Sequence, residues 1–209
     1  MKNNKRSDLF LYQLINTMSS AMSASDIYTA HHQNNVSIIA RLIGQEMNLS
    51  SFEVEGVRVA GQLHDIGKFA IPNELLSKYG DLIGEEISLI KTHVVKAEEL
   101  ISDINFPWPV GEMVLQHHER MNGSGYPSGL KGDEICLGAR IIAVSDTADA
   151  MINARPYRRE LGIEYFIREI TNNSYLYDED VCKAFLAIVS DGGLRIKEMT
   201  AHPRRCYVR

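Results

Sequence analysis

The stretch Val54–Lys68, VEGVRVAGQLHDIGK, decides how the chain is read. Val54, Val57, Ala60 and His64 share one stripe at the 3.6-residue period of a helix, and Gly67 breaks it. The stripe is apolar until its last turn, where it ends on His64-Asp65. Neighbouring helical residues diverge by about 100°. One member of such a pair can therefore bind a metal while the other reaches a second ion. A carboxylate has two oxygens for bridging, which an imidazole lacks.

Working outward, the same helical period runs through nearly the whole sequence. Val36, Ile39, Ala40, Ile43 and Met47 form a stripe closed by Asn48. Ile71-Pro72 opens a short helix, since proline suits a first turn. Ile87, Ile90, Val94, Ala97 and Ile101 read as one further helix, and another spans about Val110 to His118 after Pro107-Trp108-Pro109. Met121 to Gly132 carries Gly123, Gly125, Pro127, Gly129 and Gly132 and reads as a loop. Helices follow over Gly138 to Ile152, Ile163 to Ile170 and Glu179 to Val189. No alternating strand pattern or repeat interrupts them. The expectation is an all-α fold, with residues 1–24 an N-terminal helical extension or connector and 25–209 the main domain.

Composition narrows the function. The 209 residues are 44% hydrophobic and 23% charged, ordinary values for a globular chain. A net charge of −5 argues against DNA or RNA polymers as partners, because such binders carry a basic face. Cys136, Cys182 and Cys206 are too few and too irregular for a disulfide framework, so a reducing cytoplasm is expected. The N-terminus has a basic start, but Asp8, Gln13 and Asn16 interrupt its apolar run, while Leu11, Leu14, Ile15 and Met18 recur at helical spacing. No run approaches the ~18 apolar residues of a membrane span, so no membrane insertion is expected.

Six of the seven histidines lie between His31 and His118. His93 follows Ile90 by three residues and precedes Ala97 by four, and His117 and His118 follow Val114 by three and four. Asp146 sits four residues after Ile142 in the apolar run Ala139 to Ile152, with Asp149 one turn later. Any one inward histidine is an ordinary hydrogen-bonded core residue, and any one inward aspartate an ordinary cap. Several of both on separate helices are better explained by one shared metal site, because buried charges need partners.

With these residues in view, His64 to Lys68 reads HDIGK, Gln116 to Pro127 reads QHHERMNGSGYP, and Ser145 to Arg158 reads SDTADAMINARPYR. Together with Tyr28-Thr29 ahead of His32-Gln33, the chain resembles the HD-GYP family of cyclic-dinucleotide phosphodiesterases, a branch of the HD hydrolases, from about Ser25 to Phe185. The resemblance implies an HD-domain helical bundle with a buried di-metal site and a Gly-rich GYP loop. It assigns metal ligands to His32, His64, Asp65, His93, His117, His118 and Asp146, with Asp65 bridging. Relatives with a third metal use a glutamate where this chain has Tyr28, so two divalent ions are expected. The resemblance favours iron; manganese, zinc and nickel suit the same nitrogen and carboxylate donors. His31 is set aside as a surface residue.

The expected chemistry is attack of a metal-bridging hydroxide on one phosphodiester of a cyclic dinucleotide, since coordination lowers water's pKa from 15.7 towards about 7. Cyclic di-GMP heads the substrates, with 3′,3′-cGAMP beside it, and the product is the linear 5′-phosphorylated dinucleotide. By resemblance, Lys68 contacts the scissile phosphate and is the candidate proton donor to the departing 3′-oxygen, sharing the catalytic role with Asp65. Arg155 and Arg158 are candidate clamps on phosphate or guanine edges. Gly125, Tyr126 and Pro127 are candidate substrate contacts and, in relatives, a contact with GGDEF-type proteins. A homodimer is a further expectation. Gln33 to Val36 lacks an arginine frequent in relatives, and Val144 to Asp149 has smaller residues that widen the pocket. Two other readings stay open: a catalytically silent cyclic-dinucleotide receptor, and an HD hydrolase of nucleotides.

Overall fold

In the computed structural model of the chain, the backbone is described at residues 2–25, 27–78, 80–152 and 162–200, and side chains at 9–22, 31–78, 80–152 and 162–190. Ten α-helices account for most of it: α1 (Lys2–Ser25), α2 (Ile27–Glu46), α3 (Ser51–Leu63), α4 (Asn73–Leu76), α5 (Gly84–Lys91), α6 (His93–Ile101), α7 (Val110–Gln116), α8 (Leu137–Ile152), α9 (Ile163–Asn172) and α10 (Glu179–Thr200). Short 3-10 turns occupy Ile66–Ala70, Gly132–Glu134 and Ser174–Leu176. Among the described residues there is no strand, only an isolated antiparallel bridge between Asn122 and Lys131. No described helix is long and apolar enough to cross a membrane.

The helix ends follow from local chemistry. Asn48 adopts φ 58°, and Leu49 N–H donates to Gly44 C=O at 3.0 Å, which closes α2 as its asparagine predicts. Ser50 caps α3 in a reciprocal box: Glu53 N–H donates to Ser50 Oγ at 3.2 Å, and Ser50 N–H to Glu53 Oε2 at 2.9 Å. The stripe from Ile87 to Ile101, read as one helix, is two. Thr92 N–H and Oγ1–H both donate to Leu89 C=O, and His93 Nδ1 lies 2.8 Å from Ile90 C=O. These local side-chain bonds compete with continuation of the α-ladder, so the chain turns there and His93 opens α6.

At the centre, α2 packs against α3, α8 and α10. Its stripe Val36, Ile39, Ala40 and Ile43 is fully buried, and α8 is buried on most sides through Ile141, Ile142, Val144, Ala148 and Ile152. Such all-round burial is what a helix without a polar face requires. Ile15 and Met22 of α1 join the same core. Ser19 fastens α1 to α3 by accepting from Gln62 Nε2 at 2.9 Å, and Gln62 in turn accepts from Arg58 at 3.0 Å.

One close approach positions everything that follows. The 3-10 turn Ile66–Ala70 lies directly against α6, and a Cβ at Gly67 would run into the carbonyl oxygen of His93 and the amide nitrogen of Ala97. Glycine at 67 therefore allows the turn after Asp65 to touch the start of α6. Gly67→Ala should lower stability by about 1–3 kcal/mol through overpacking against backbone that cannot yield. Urea unfolding measures this, and an unchanged midpoint would show that the two segments separate freely.

Candidate metal centre

Five segments deliver the predicted donors to one place. His32 comes from α2, His64 and Asp65 from the end of α3, His93 from the start of α6, His117 and His118 from the end of α7, and Asp146 from α8. Three groups have ligand atoms within 4.8 Å of one another: His32, His64 and Asp146; His93, His117 and His118; and His64, Asp65 and His117. Asp65 lies between the first two groups. Its Oδ2 is 3.4 Å from His64 Nε2 and 3.7 Å from His32 Nε2, whereas Oδ1 faces His93 Nε2 at 3.5 Å.

The orientation of three imidazoles is fixed by backbone. His64 Nδ1 lies 2.8 Å from Gly61 C=O, His93 Nδ1 2.8 Å from Ile90 C=O, and His117 Nδ1 2.6 Å from Val114 C=O. A carbonyl only accepts, so each Nδ1 carries the proton and each Nε2 keeps a lone pair. Those three Nε2 atoms are buried with no hydrogen-bond partner. Three buried acceptors without donors, converging beside two aspartates, fit a divalent cation; an apolar core would leave each of them at a cost.

The fourth imidazole is held differently. His32 Nε2 is 3.1 Å from Asp146 Oδ1, and His32 Nδ1 is 2.6 Å from Asp149 Oδ2. Burial works against a His32 cation, but the bonds and charges of Asp146 and Asp149 outweigh it and raise the ring to about 9. Asp149 is buried and was read from the sequence only as a carboxylate one turn after Asp146; its role as the outer partner of His32 emerges in the structure. Its signal was there, since Asp146 and Asp149 share a helical face.

Burial and charge polarise the rest of the cluster. Burial alone would raise the Asp65 carboxyl, yet the Lys68 ammonium, with His64 and His93, holds it well below the usual range. Asp146 is likewise held down against burial by His32, His64 and His118. Burial lowers His93, and lowers His117 well below the ordinary histidine value with help from His118, His64 and His93. It pushes His118 down to about 3. His93, His117 and His118 are thus neutral at physiological pH, the state in which imidazole ligates metals.

Around this cluster, Lys68 Nζ reaches Asp65 Oδ2 at 2.6 Å while keeping part of its side chain in solvent. The Tyr126 ring stacks on His118 with centroids 4.7 Å apart at 23°, and Lys91 Nζ lies 5.0 Å from the Tyr126 centroid. Gly125 packs against the backbone of residues 118–120, and Pro127 is exposed at the loop tip. His31 is exposed. Arg155 and Arg158 lie outside the described residues, as does the side chain of Tyr28.

The family model described as HD domain matches residues 12–181. A cyclic di-GMP phosphodiesterase of Thermotoga maritima is 38% identical over 182 residues, covering 86% of this chain and 50% of that protein. A 3′3′-cGAMP-specific phosphodiesterase of Vibrio cholerae is 31% identical over 179 residues, covering 86% of this chain and 39% of that protein. Among solved structures, a cyclic GMP-AMP-specific phosphodiesterase of V. cholerae superposes with a TM-score of 0.68 at 17% identity, covering 91% of this chain and 50% of that one. The chain therefore spans half or less of the curated relatives' length, and the structural likeness extends to the fold.

The outer partner of His32 offers a direct test. Asp149→Ala should weaken binding of Mn(II), followed by competition with a chelator, by about 10–100-fold, the usual cost of losing an outer carboxylate. Unaltered affinity would mean that His32 is oriented by packing alone.

Proposed function

The chain belongs to the HD-domain family and to its HD-GYP branch, and from that premise we propose that it hydrolyses a cyclic dinucleotide, cyclic di-GMP foremost and 3′,3′-cGAMP next, to the linear 5′-phosphorylated form. The observation that carries this reading is the pair of ligand groups on either side of Asp65, with three buried Nε2 atoms turned towards them.

In this reading His32, His64 and Asp146 would hold one divalent ion and His93, His117 and His118 the other, with Asp65 available to both. When bound, the ions supply Lewis acidity towards the phosphate and an activated water at neutral pH. Iron is the proposed metal, and manganese, zinc and nickel fit the same donors.

The protein's own groups do the rest. Three backbone carbonyls keep His64, His93 and His117 in their ligating tautomer, and Asp149 would hold Nδ1 of His32 so that its Nε2 faces the ion. Lys68 stands between the buried Asp65 and solvent, where its ammonium can meet the scissile phosphate and give a proton to the departing 3′-oxygen. Tyr126 forms a wall beside His118, and its hydroxyl stays protonated because burial and the nearby Asp146 and Asp65 raise it. It is therefore available as a donor to the ligand. The exposed tip at Pro127 and Ser128 is the surface a GGDEF-type partner would use. Free thiols at Cys136 and Cys182 agree with a cytoplasmic setting.

The test is metal analysis paired with turnover of cyclic di-GMP and cGAMP under reducing conditions with Fe(II) or Mn(II). About two ions per chain and a linear product are expected. Lys68→Ala should keep both ions and lose about 10²–10⁴-fold in kcat. Tight binding without product would make the chain a receptor, and normal turnover by Lys68→Ala would remove Lys68 from the chemistry.

A further inference from the structure

Next to His118, the Glu119 side chain has no part in the ligand groups. It is 2% exposed, and among the described residues no lysine or arginine pairs with it. Even Arg120, its neighbour, turns its guanidinium to the carbonyls of His117 and Glu119 and to the Tyr177 ring. A buried carboxylate without a cation needs donors. Glu119 finds three, all from backbone: Ser128 N–H at 2.7 Å and Gly129 N–H at 3.1 Å on Oε1, and Leu130 N–H at 3.1 Å on Oε2.

Those amides belong to the far side of the loop that carries Tyr126. The near side is tied by Gly123 N–H to Arg120 C=O at 2.7 Å and by Tyr126 N–H to His118 C=O at 3.2 Å. The loop closes through Gly132 N–H to Met121 C=O at 3.1 Å. Gly125 lies so close to residues 118–120 that a Cβ there would meet their backbone. The loop is thus folded back on the segment holding His117 and His118, with Glu119 as its inner anchor. The Tyr126 ring is delivered onto His118 by the same folding.

We propose that Glu119 is a positioning residue: its buried carboxylate fastens the return side of the 123–131 loop and thereby holds Tyr126 against His118 as one wall of the ligand cleft. The ligand in this inference rests on the cyclic-dinucleotide reading above. Glu119 touches no substrate and holds no metal. Its effect therefore belongs in substrate affinity, carried by Tyr126, and not in the ion count.

The chemistry of the three bonds ranks the variants. Glu119→Ala removes every acceptor. Glu119→Gln keeps one carbonyl oxygen for Ser128 and Gly129 but turns an NH₂ group towards the Leu130 N–H, donor against donor. Tyr126→Ala removes the wall itself. On the metal-loaded chain, Glu119→Ala should raise KM for cyclic di-GMP about 10-fold or more, with kcat within about 3-fold of the parent and both ions retained. Glu119→Gln should recover most of that loss. Glu119→Ala added to Tyr126→Ala should cost less than about 2-fold further, because both act through one ring. Hydrogen exchange of the Ser128, Gly129 and Leu130 amides should quicken about 10-fold or more in Glu119→Ala, and at Leu130 above all in Glu119→Gln.

Loss of ions in Glu119→Gln, an effect on kcat alone, or full additivity with Tyr126→Ala would overturn the proposal. So would unchanged exchange at the three amides. If Glu119→Ala does not fold, Glu119→Gln and Tyr126→Ala decide the matter by the same readouts. Failure of the parent chain to bind or cleave cyclic di-GMP and cGAMP would overturn the functional reading and the ligand role of Tyr126 with it. The exchange rates would still decide whether Glu119 fastens the loop.

Discussion

A carboxylate with 2% of its side chain exposed sits at the meeting point of three imidazoles and one ammonium, and the architecture is arranged around keeping Asp65 in that position. An isolated charge there would be expelled or neutralised. Compensation has to come from several directions, because Asp65 follows a helix end and its own α3 supplies only His64. The remaining partners arrive from α2, the 3-10 turn and α6. That explains the fit between Gly67 and the His93 carbonyl: without it the turn carrying Asp65 and Lys68 could not lie against the helix carrying His93. The packing of two backbone segments thus sets the distance between two functional side chains.

A second economy lies in how the histidines are aimed. The last four carbonyls of an α-helix lack partners within it. His64, His93 and His117 each follow such a carbonyl by three residues, in the last turns of α3, α5 and α7, and each gives it an Nδ1 proton. One bond closes the helix end, fixes the tautomer and turns Nε2 into the cluster. The break between α5 and α6 at Thr92 therefore has a use, since an uninterrupted helix would have consumed Ile90 C=O in its own ladder. His32 lies within a helix, where no carbonyl is free, and Asp149 takes over that task from α8.

These particulars separate what could be read along the chain from what could not. The stripes of α3, of the Ile87–Ile101 stretch and of α8 are local periodic signals, and they place His64, His93 and Asp146 on inward faces. The break at Thr92 left no mark on that signal, because the apolar period continues across it; only the competition of two side chains for carbonyls produces it. Glu119 was illegible for another reason. It reads as one polar residue at the start of a glycine-rich loop, and its burial depends on amides nine to eleven residues later folding back onto it. A contact made by backbone N–H groups leaves no residue-type pattern at the donor end. Asp149 falls between these cases: its face was readable, and its partner 117 residues away was not.

Net charge also takes on a different meaning at the site. A chain at −5 is a poor match for an anionic ligand if charge is spread evenly, yet cleft electrostatics are set locally. The cluster contains three carboxylates, Asp65, Asp146 and Asp149, against one His32 cation and the Lys68 ammonium, with His93, His117 and His118 kept neutral by burial. Left to itself this set is anionic and would repel a phosphodiester. Two divalent ions held by these residues would reverse the sign. On the reading proposed above, a phosphate ester would therefore be recognised only once the ions are in place, and the carboxylates that would hold them would keep such esters away from an unloaded centre.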